Sequence, residues 1–188
     1  MKVSKAQVQA NRAHIVETAS RLFREHGYDG IGIADLMAAA GFTHGGFYKH
    51  FGSKADLMAE AAVHGLAESA EKSQGIDLAA FVAYYVSREH RDAPGEGCTM
   101  AALCADASRQ PAFVKEAFAA GIERQLGATE LDSRLPRDVR ARKINSMAHA
   151  VGAIVLSRAC PDDSALAQEI LDLCREQILA SLPPAAAH

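Results

Sequence analysis

The sequence predicts an all-α protein with a small N-terminal helical domain and a larger C-terminal helical domain. Apolar residues recur at spacings of three and four along most of the 188 residues, which is typical of amphipathic helices. No segment alternates apolar and polar residues for the length of a strand. Glycine or proline separates successive apolar segments, as expected at helix ends. We place the two domains at residues 8–68 and 69–188.

Three helices with short connections form the predicted N-terminal domain, and a fourth follows them. The first covers 12–26 and ends at a glycine, and the second covers 33–40 and also ends at a glycine. A third, short helix is predicted over 43–50, with the Thr43 hydroxyl as its N-terminal cap. The fourth begins at Ser53, where the sequence Ser-Lys-Ala-Asp resembles a capping box.

The C-terminal domain is predicted to contain five further helices. They cover about residues 78–85, 100–107, 111–126, 144–155 and 166–178. Residues 88–97 are predicted to form a polar loop, because this segment contains Pro94, Gly95 and Gly97.

Composition limits the class of protein. Hydrophobic residues make up 49% and charged residues 23% of the chain, and the formal net charge is -3. These values exclude an intrinsically disordered chain and a uniformly basic nucleic-acid coat. The longest apolar stretch, 148–156, is too short to span a membrane, and the polar N-terminus is unlike a secretory signal. We therefore expect a cytoplasmic protein that does not associate with membranes.

No catalytic site is predicted. The sequence lacks the Gly-x-Ser-x-Gly, HExxH and glycine-rich phosphate-loop motifs. Its eight histidines do not have metal-ligand spacing, and its four cysteines form no Cys-x-x-Cys pair. We therefore expect neither a metal nor another cofactor, and a binding protein is favoured over an enzyme.

Residues 33–51 carry the pattern that points to a function. A short helix, a tight break at Gly41-Phe42 and a second short helix are the parts of a helix-turn-helix motif. In that motif the second helix enters the DNA major groove. Gly45 and Gly46 are unusual in a helix, because each costs about 1 kcal/mol relative to alanine. Close approach of the backbone to DNA would explain them, and an ordinary loop is the alternative.

The residues around this motif form a longer pattern. It begins in the first helix with Ile15, Ala19, Leu22, Phe23, Gly27 and Tyr28. It continues as Gly41-Phe42-Thr43-x-Gly45-x-Phe47-Tyr48-x-His50-Phe51-x-Ser53-Lys54. Over about residues 8–65 this pattern resembles the tetracycline-repressor (TetR) family of bacterial transcriptional regulators. The resemblance implies an all-helical homodimer, with an N-terminal domain that binds double-stranded operator DNA and a C-terminal domain that binds a small-molecule effector.

The resemblance also assigns roles to residues of the motif. Tyr48 and Lys54 match positions that contact DNA phosphates, and His50 is close by. Lys49 is expected to touch either a phosphate or a base. The residues expected at the start of the recognition helix, facing the groove, are Thr43, His44, Gly45 and Gly46.

Two further features of the N-terminal domain bear on this interpretation. Phe47 and Phe51 are expected in the core, because residues i and i+4 share one helix face. Ile31 and Gly32 stand where the family often has hydroxyl residues, so the second helix is expected to lack a side-chain cap. The formal charge is +1 over residues 1–60 and -4 over the rest, which agrees weakly with a DNA-facing N-terminal domain. A helical interaction module that does not bind DNA is the alternative.

The last two helices are expected to pair with a second copy of the chain, because small residues would let helices approach closely. An intramolecular helix pair is the alternative. The predicted interface residues are Met147, Ala148, Val151, Val155, Ile170, Leu173 and Cys174.

The effector is expected among the middle helices. Its predicted lining is Phe81, Tyr84, Tyr85, Cys98, Met100, Leu103, Phe113 and Met147. Each of these residues is also explained as ordinary core. No charged residue stands out as an anchor, so we expect an uncharged, largely apolar effector. Cys98 offers a different mechanism, because a thiol at a helix N-terminus can react with oxidants or electrophiles. A buried and inert cysteine is the competing explanation.

Overall fold

The computed structural model describes residues 4–73, 75–127 and 136–182, and within these residues it contains helices and no strand. The α helices are α1 (Lys5–His26), α2 (Ile33–Ala39), α3 (Lys54–Lys72), α4 (Leu78–Tyr85), α5 (Arg88–Asp92), α6 (Thr99–Ala107), α7 (Ala112–Gln125), α8 (Arg137–Arg158) and α9 (Ala165–Ala180). Two 3₁₀ helices cover His44–Lys49 and Pro94–Glu96.

The chain divides into two compact units. The first contains the described residues up to Glu71 together with Gly95–Gln125, and the second contains Lys72–Pro94 and the described residues from Leu126 onward. Thus α6 and α7, which lie in the predicted C-terminal domain, pack in the same unit as the N-terminal helices. This division by packing differs from the predicted boundary between a domain at residues 8–68 and a domain at residues 69–188. The predicted boundary stays a prediction.

The core of the first unit is formed by the apolar faces of its helices. The residues that are at most 1% exposed include Ile15, Ala19, Phe23, Leu36, Met37, Phe47, Leu57 and Leu66. Helix α7 comes close to α3 at Gly121, where a Cβ atom would lie 2.4 Å from Cδ1 of Leu66. Burying a large apolar side chain contributes about 1.5–3 kcal/mol, so this shared core holds the short helices in place.

The second unit is built on the packing of α8 against α9. Its buried residues include Ala153 and Ile154 on α8 and Leu171 and Ile178 on α9. The hydroxyl of Ser157 donates to the carbonyl of Ala167 at 3.0 Å. Among the described residues, no helix is long and apolar enough to cross a membrane.

The prediction of a polar loop at residues 88–97 is wrong. This segment contains α5 and the 3₁₀ helix Pro94–Glu96. The Ser87 side chain caps α5 by accepting from the His90 N–H at 3.2 Å. The buried guanidinium of Arg91 donates to the carbonyls of Ser157 and Cys160, at the end of α8. A helix end needs such donors, so Arg91 has a structural role in this segment rather than being solvated.

The first helix begins earlier than predicted. Helix α1 starts at Lys5, where the Ser4 hydroxyl accepts from the Gln7 N–H at 3.1 Å. Residues 5–10 are all exposed, so this part of the helix has no buried apolar face to reveal it. Most of the other predicted helix bounds lie within a few residues of the observed ones.

Candidate DNA-binding surface

The helix-turn-helix segment consists of α2, a tight turn and the 3₁₀ helix His44–Lys49. Gly41 has φ +79°, a conformation that glycine adopts without strain. The N–H of Phe42 donates to the Met37 carbonyl at 2.8 Å, which closes the end of α2. Gly32 precedes α2 and supplies no side-chain cap, as the sequence predicted. The turn therefore fixes where the second helix of the motif starts.

The predicted third helix forms, but its hydrogen bonds are of the tighter 3₁₀ type. The Gly46 N–H donates to the Thr43 carbonyl at 2.9 Å, and the His50 N–H donates to the Phe47 carbonyl at 2.9 Å. The prediction that the Thr43 hydroxyl caps this helix is wrong, since its side chain makes no cap hydrogen bond. Two adjacent glycines weaken an α-helix, and short 3₁₀ turns are the common substitute.

One face of this 3₁₀ helix is buried and the other is exposed. Phe47 is fully buried and Phe51 nearly so, which confirms their predicted place in the core. Their ring centroids lie 5.5 Å apart. Tyr48 points outward with 64% of its surface exposed. The other exposed residues of the predicted DNA-binding set are Thr43, His44, Gly45 and Lys49.

The two glycines differ in what surrounds them. A Cβ atom at Gly45 would have no neighbouring atom within 4 Å. A Cβ atom at Gly46 would lie 3.7 Å from both Met37 Cε and Thr43 Oγ1, which is ordinary van der Waals contact. Neither glycine has positive φ. Packing within the free protein therefore does not require glycine at these positions, and the space outside Gly45 is open to a partner.

His50 lies at the edge of this exposed surface. Its ring is half-buried, 6.4 Å from the ring centroid of Phe42 and 6.3 Å from that of Phe51. The buried Nδ1 atom has no hydrogen-bond partner among the described residues. Nearby, the Arg12 guanidinium binds both carboxylate oxygens of Glu60 and lies 4.5 Å from the Phe51 ring centroid. This ion pair raises the pKa of Arg12 and ties α1 to α3.

Lys54 stands at the start of α3, directly after the exposed segment. Its ammonium donates to the carbonyls of Tyr28 and Ile31, the latter at 2.7 Å. An ammonium has three N–H donors, so one remains for a phosphate. The Asp56 N–H donates to the Ser53 hydroxyl at 3.1 Å, which confirms the capping start predicted for this helix. The structure thus ties the Lys54 ammonium to the connection between α1 and α2.

The predicted effector residues divide between the two compact units. The first unit holds Cys98, Met100, Leu103 and Phe113, and the second holds Phe81, Tyr84, Tyr85 and Met147. Tyr84 and Phe113 are about half exposed. Cys98 is 6% exposed and precedes α6 without forming a side-chain cap. Burial and the nearby Cys98 raise the pKa of the Cys104 thiol to about 11, which leaves little of the reactive thiolate at that position.

The predicted interface residues on α8 and α9 all keep some exposure in the single chain. Val155 and Leu173 are exposed, and the other five predicted residues are exposed or half-buried. Sequence analysis missed three large exposed apolar residues on the same helices: Ile144, Leu156 and Leu166. Their spacing along each helix could not show which face the α8–α9 contact leaves uncovered.

Comparisons with known proteins identify the N-terminal segment. Residues 15–61 match the family described as bacterial regulatory proteins, tetR family. The HTH-type transcriptional regulator AcrR of Shigella flexneri is 39% identical over 57 residues, which make up 30% of this chain and 26% of AcrR. Other curated relatives with matches of similar length are transcriptional repressors. The segment of this chain that matches spans only about a quarter to a third of the length of these relatives.

Solved structures extend the comparison to the whole chain. The reduced form of NemR from E. coli has a TM-score of 0.70 at 19% identity, covering 95% of this chain and 100% of NemR. AibR in complex with isovaleryl coenzyme A and operator DNA has a TM-score of 0.57 at 19% identity. This match covers 89% of this chain and 97% of AibR. These similarities confirm the predicted fold: an N-terminal helix-turn-helix domain followed by a helical C-terminal part. The matched proteins are regulators rather than enzymes, in agreement with the prediction that this chain is not an enzyme.

Proposed function

We propose that this chain is a TetR-family regulator that represses transcription by binding a palindromic DNA operator as a homodimer and leaves the DNA when a small molecule binds. The observation that carries the proposal is the exposed face of the 3₁₀ helix His44–Lys49. Its buried face is anchored by Phe47, so the outward residues are presented in one fixed orientation. A helix held this way is suited to enter the major groove.

The exposed residues divide into two kinds of DNA contact. The Tyr48 hydroxyl and the ammonium groups of Lys49 and Lys54 bind phosphates, which position the protein without reading sequence. His44 and Thr43, at the start of the 3₁₀ helix, read base edges. The bare backbone at Gly45 lets this helix approach the groove without a steric clash.

The homodimer is supported by the apolar surface of α8 and α9. Leu156, Leu166 and Leu173 each have more than half of their surface exposed in the single chain. Exposed apolar patches of this kind mark interfaces in soluble proteins. A two-fold dimer would present two recognition helices to successive major grooves, about 34 Å apart or a multiple of this, which explains a palindromic operator.

The proposed effector is an uncharged, largely apolar molecule that binds the C-terminal part of the chain. AibR, which shares the fold, was crystallised with isovaleryl coenzyme A and with operator DNA, so this architecture accommodates a small molecule as well as DNA. Release requires only that the effector bind better to the conformation that does not bind DNA. The competing mechanism is modification of the Cys98 thiol. The burial of Cys98 favours the pocket mechanism, because a reagent must reach the sulfur.

The proposal is tested by selecting DNA duplexes from a random pool with the purified full-length chain. We expect an inverted repeat to emerge and to bind the wild-type protein with a Kd of about 10 nM or tighter. In direct titrations, Tyr48→Phe should weaken binding to all duplexes by a similar factor. His44→Ala should change which base is preferred at one position of each half-site. Recovery of no sequence, or of a sequence without symmetry, would contradict the proposal.

A second experiment separates the two release mechanisms. Candidate effectors and thiol reagents are added to the complex of the selected duplex with the wild-type protein or with Cys98→Ser. A pocket mechanism predicts that an apolar effector releases both proteins equally. Release by an electrophile that is lost in Cys98→Ser, with unchanged DNA affinity, would show that the thiol is the sensor.

A further inference from the structure

The backbone of Tyr28 is bonded to side chains from two different helices. Its N–H donates to Oδ2 of Asp106, on α6, at 3.0 Å. Its carbonyl accepts from the ammonium of Lys54, at the start of α3. The same ammonium donates to the Ile31 carbonyl at 2.7 Å. Asp106 and Lys54 therefore hold, from two sides, the connection 27–32 that joins α1 to α2.

The local geometry is built around the Asp106 carboxylate. Gly27 has φ +73°, and a Cβ atom there would lie 2.8 Å from Asp106 Oδ2. Only glycine both adopts this conformation easily and leaves space for the carboxylate. Asp106 lies in the last turn of α6, where the helix dipole disfavours negative charge. Its bonds to the Tyr28 N–H and, at 2.6 Å, to Arg109 offset this cost.

A second link fixes the other end of α6. The buried Arg24 guanidinium, on α1, donates to the carbonyl of Gly95 at 2.8 Å, shortly before α6 begins. It also donates to the Ser20 hydroxyl at 2.9 Å. A Cβ atom at Gly95 would lie 2.3 Å from Glu25 Oε1, so the two segments are in close contact. Helix α6 is thus bound to α1 near both of its ends and cannot shift without breaking a buried polar contact.

We propose that Asp106 is a positioning residue for DNA binding, which acts through the Tyr28 backbone to hold the Lys54 ammonium in place for a phosphate contact. The proposal rests on the proposed DNA-binding function. A free lysine side chain loses rotamer entropy when it binds a phosphate, and holding it in place beforehand reduces that cost. Two of the three Lys54 donors bind backbone carbonyls, which leaves one donor for a phosphate. Helix α6 contributes to DNA affinity in this way although none of its residues is predicted to touch DNA.

The test compares Asp106→Ala, Lys54→Met and the double variant in full-length protein, with the selected duplex as the ligand. We expect Lys54→Met to weaken DNA binding about tenfold and Asp106→Ala about fivefold. The double variant should lie within about twofold of Lys54→Met, because Asp106 acts through Lys54. Asp106→Asn keeps an oxygen acceptor for the Tyr28 N–H and should restore most of the affinity. Arg109→Gln, which removes only the exposed partner of Asp106, is the matched control and should leave the affinity unchanged.

The salt dependence and the unfolding free energy distinguish positioning from a general loss of structure. Lys54→Met should reduce the salt slope of DNA binding by about one per protomer, whereas Asp106→Ala, which keeps the Lys54 charge, should weaken binding with a nearly unchanged salt slope. A folded Asp106→Ala protein with wild-type affinity, or single-variant losses that multiply in the double variant, would overturn the proposal. If the wild-type chain selects no DNA, the proposed function fails. In that case the coupling between Asp106 and Lys54 is tested without DNA, by a double-variant cycle on the free energy of unfolding in denaturant. Additive effects of Asp106→Ala and Lys54→Met would overturn the coupling.

Discussion

Replacing Gly45 by alanine should make the protein more stable and its DNA complex weaker. In the free protein the new methyl group would meet no atom within 4 Å, and the backbone at Gly45 does not have positive φ. The substitution therefore introduces neither a clash nor strain. It reduces the conformational entropy of the unfolded chain, which stabilises a protein by about 0.4–1 kcal/mol at compatible positions.

The expected effect on DNA binding has the opposite sign. The methyl group would point into the open space that the DNA backbone and groove edges would occupy in the proposed complex. Displacing the recognition helix by even a fraction of an ångström lengthens its hydrogen bonds. We expect a loss of about tenfold in affinity, which corresponds to about 1.4 kcal/mol.

The assay combines thermal unfolding with titration of the selected duplex. Gly46→Ala is the matched control, because its methyl group would contact Met37 and Thr43 within the protein rather than open space. We expect Gly46→Ala to change DNA affinity by less than about threefold. A Gly45→Ala protein that is more stable and binds DNA as tightly as wild type would refute the idea that this glycine serves close approach. A protein that is less stable would refute the structural reasoning itself.

Three other substitutions or conditions test separate parts of the molecule. Leu173→Glu places a charge at an exposed apolar position of α9 and should convert the proposed dimer into a monomer in analytical ultracentrifugation, whereas Glu176→Gln on the same helix should not. Tyr48→Phe should weaken binding to matched and mismatched duplexes alike, by about three- to tenfold. His44→Ala should instead reduce the ratio of the affinities for matched and mismatched duplexes, which competition titrations measure. Burial lowers the pKa of His90, so the unfolded state binds a proton at a higher pH than the folded state does. The contribution of His90 to the unfolding free energy should therefore be constant above about pH 7. It should fall as the pH drops below about 6.5, the ordinary histidine pKa. A flat profile of unfolding temperature between pH 7 and pH 5, or one unchanged by His90→Gln, would contradict the last expectation.

The N-terminal helices could be predicted because their apolar residues face one core. Ile15, Ala19 and Phe23 recur at intervals of four residues along α1 and are almost fully buried, so periodicity and burial agree. The aromatic pair Phe47 and Phe51 was predictable for the same reason. The 3₁₀ geometry between them was not, since a six-residue segment with two glycines has too few side chains for a periodic signal.

Long-range polar contacts account for most of what sequence analysis missed. Helix α5 is stabilised by Arg91, which donates to carbonyls 66 and 69 residues farther along the chain. The packing of α6 with the N-terminal helices depends on Arg24 and Asp106, whose partners lie 71 and 78 residues away. Charged residues are read from sequence as solvated surface, because only the fold shows which of them have a buried partner.

The recognition segment depends on its neighbours for its position. A 3₁₀ helix of six residues is too short to be stable alone, and two of its residues are glycines that contribute no side-chain packing. Its orientation is therefore set by Phe47 inside the core, by the turn at Gly41 before it and by the Lys54 contacts after it. Because these anchors lie at its ends and on its buried face, they leave Thr43, His44, Gly45, Tyr48 and Lys49 exposed on its outer face. The same sequence features that weaken the helix locally thus leave its outward surface available for a partner.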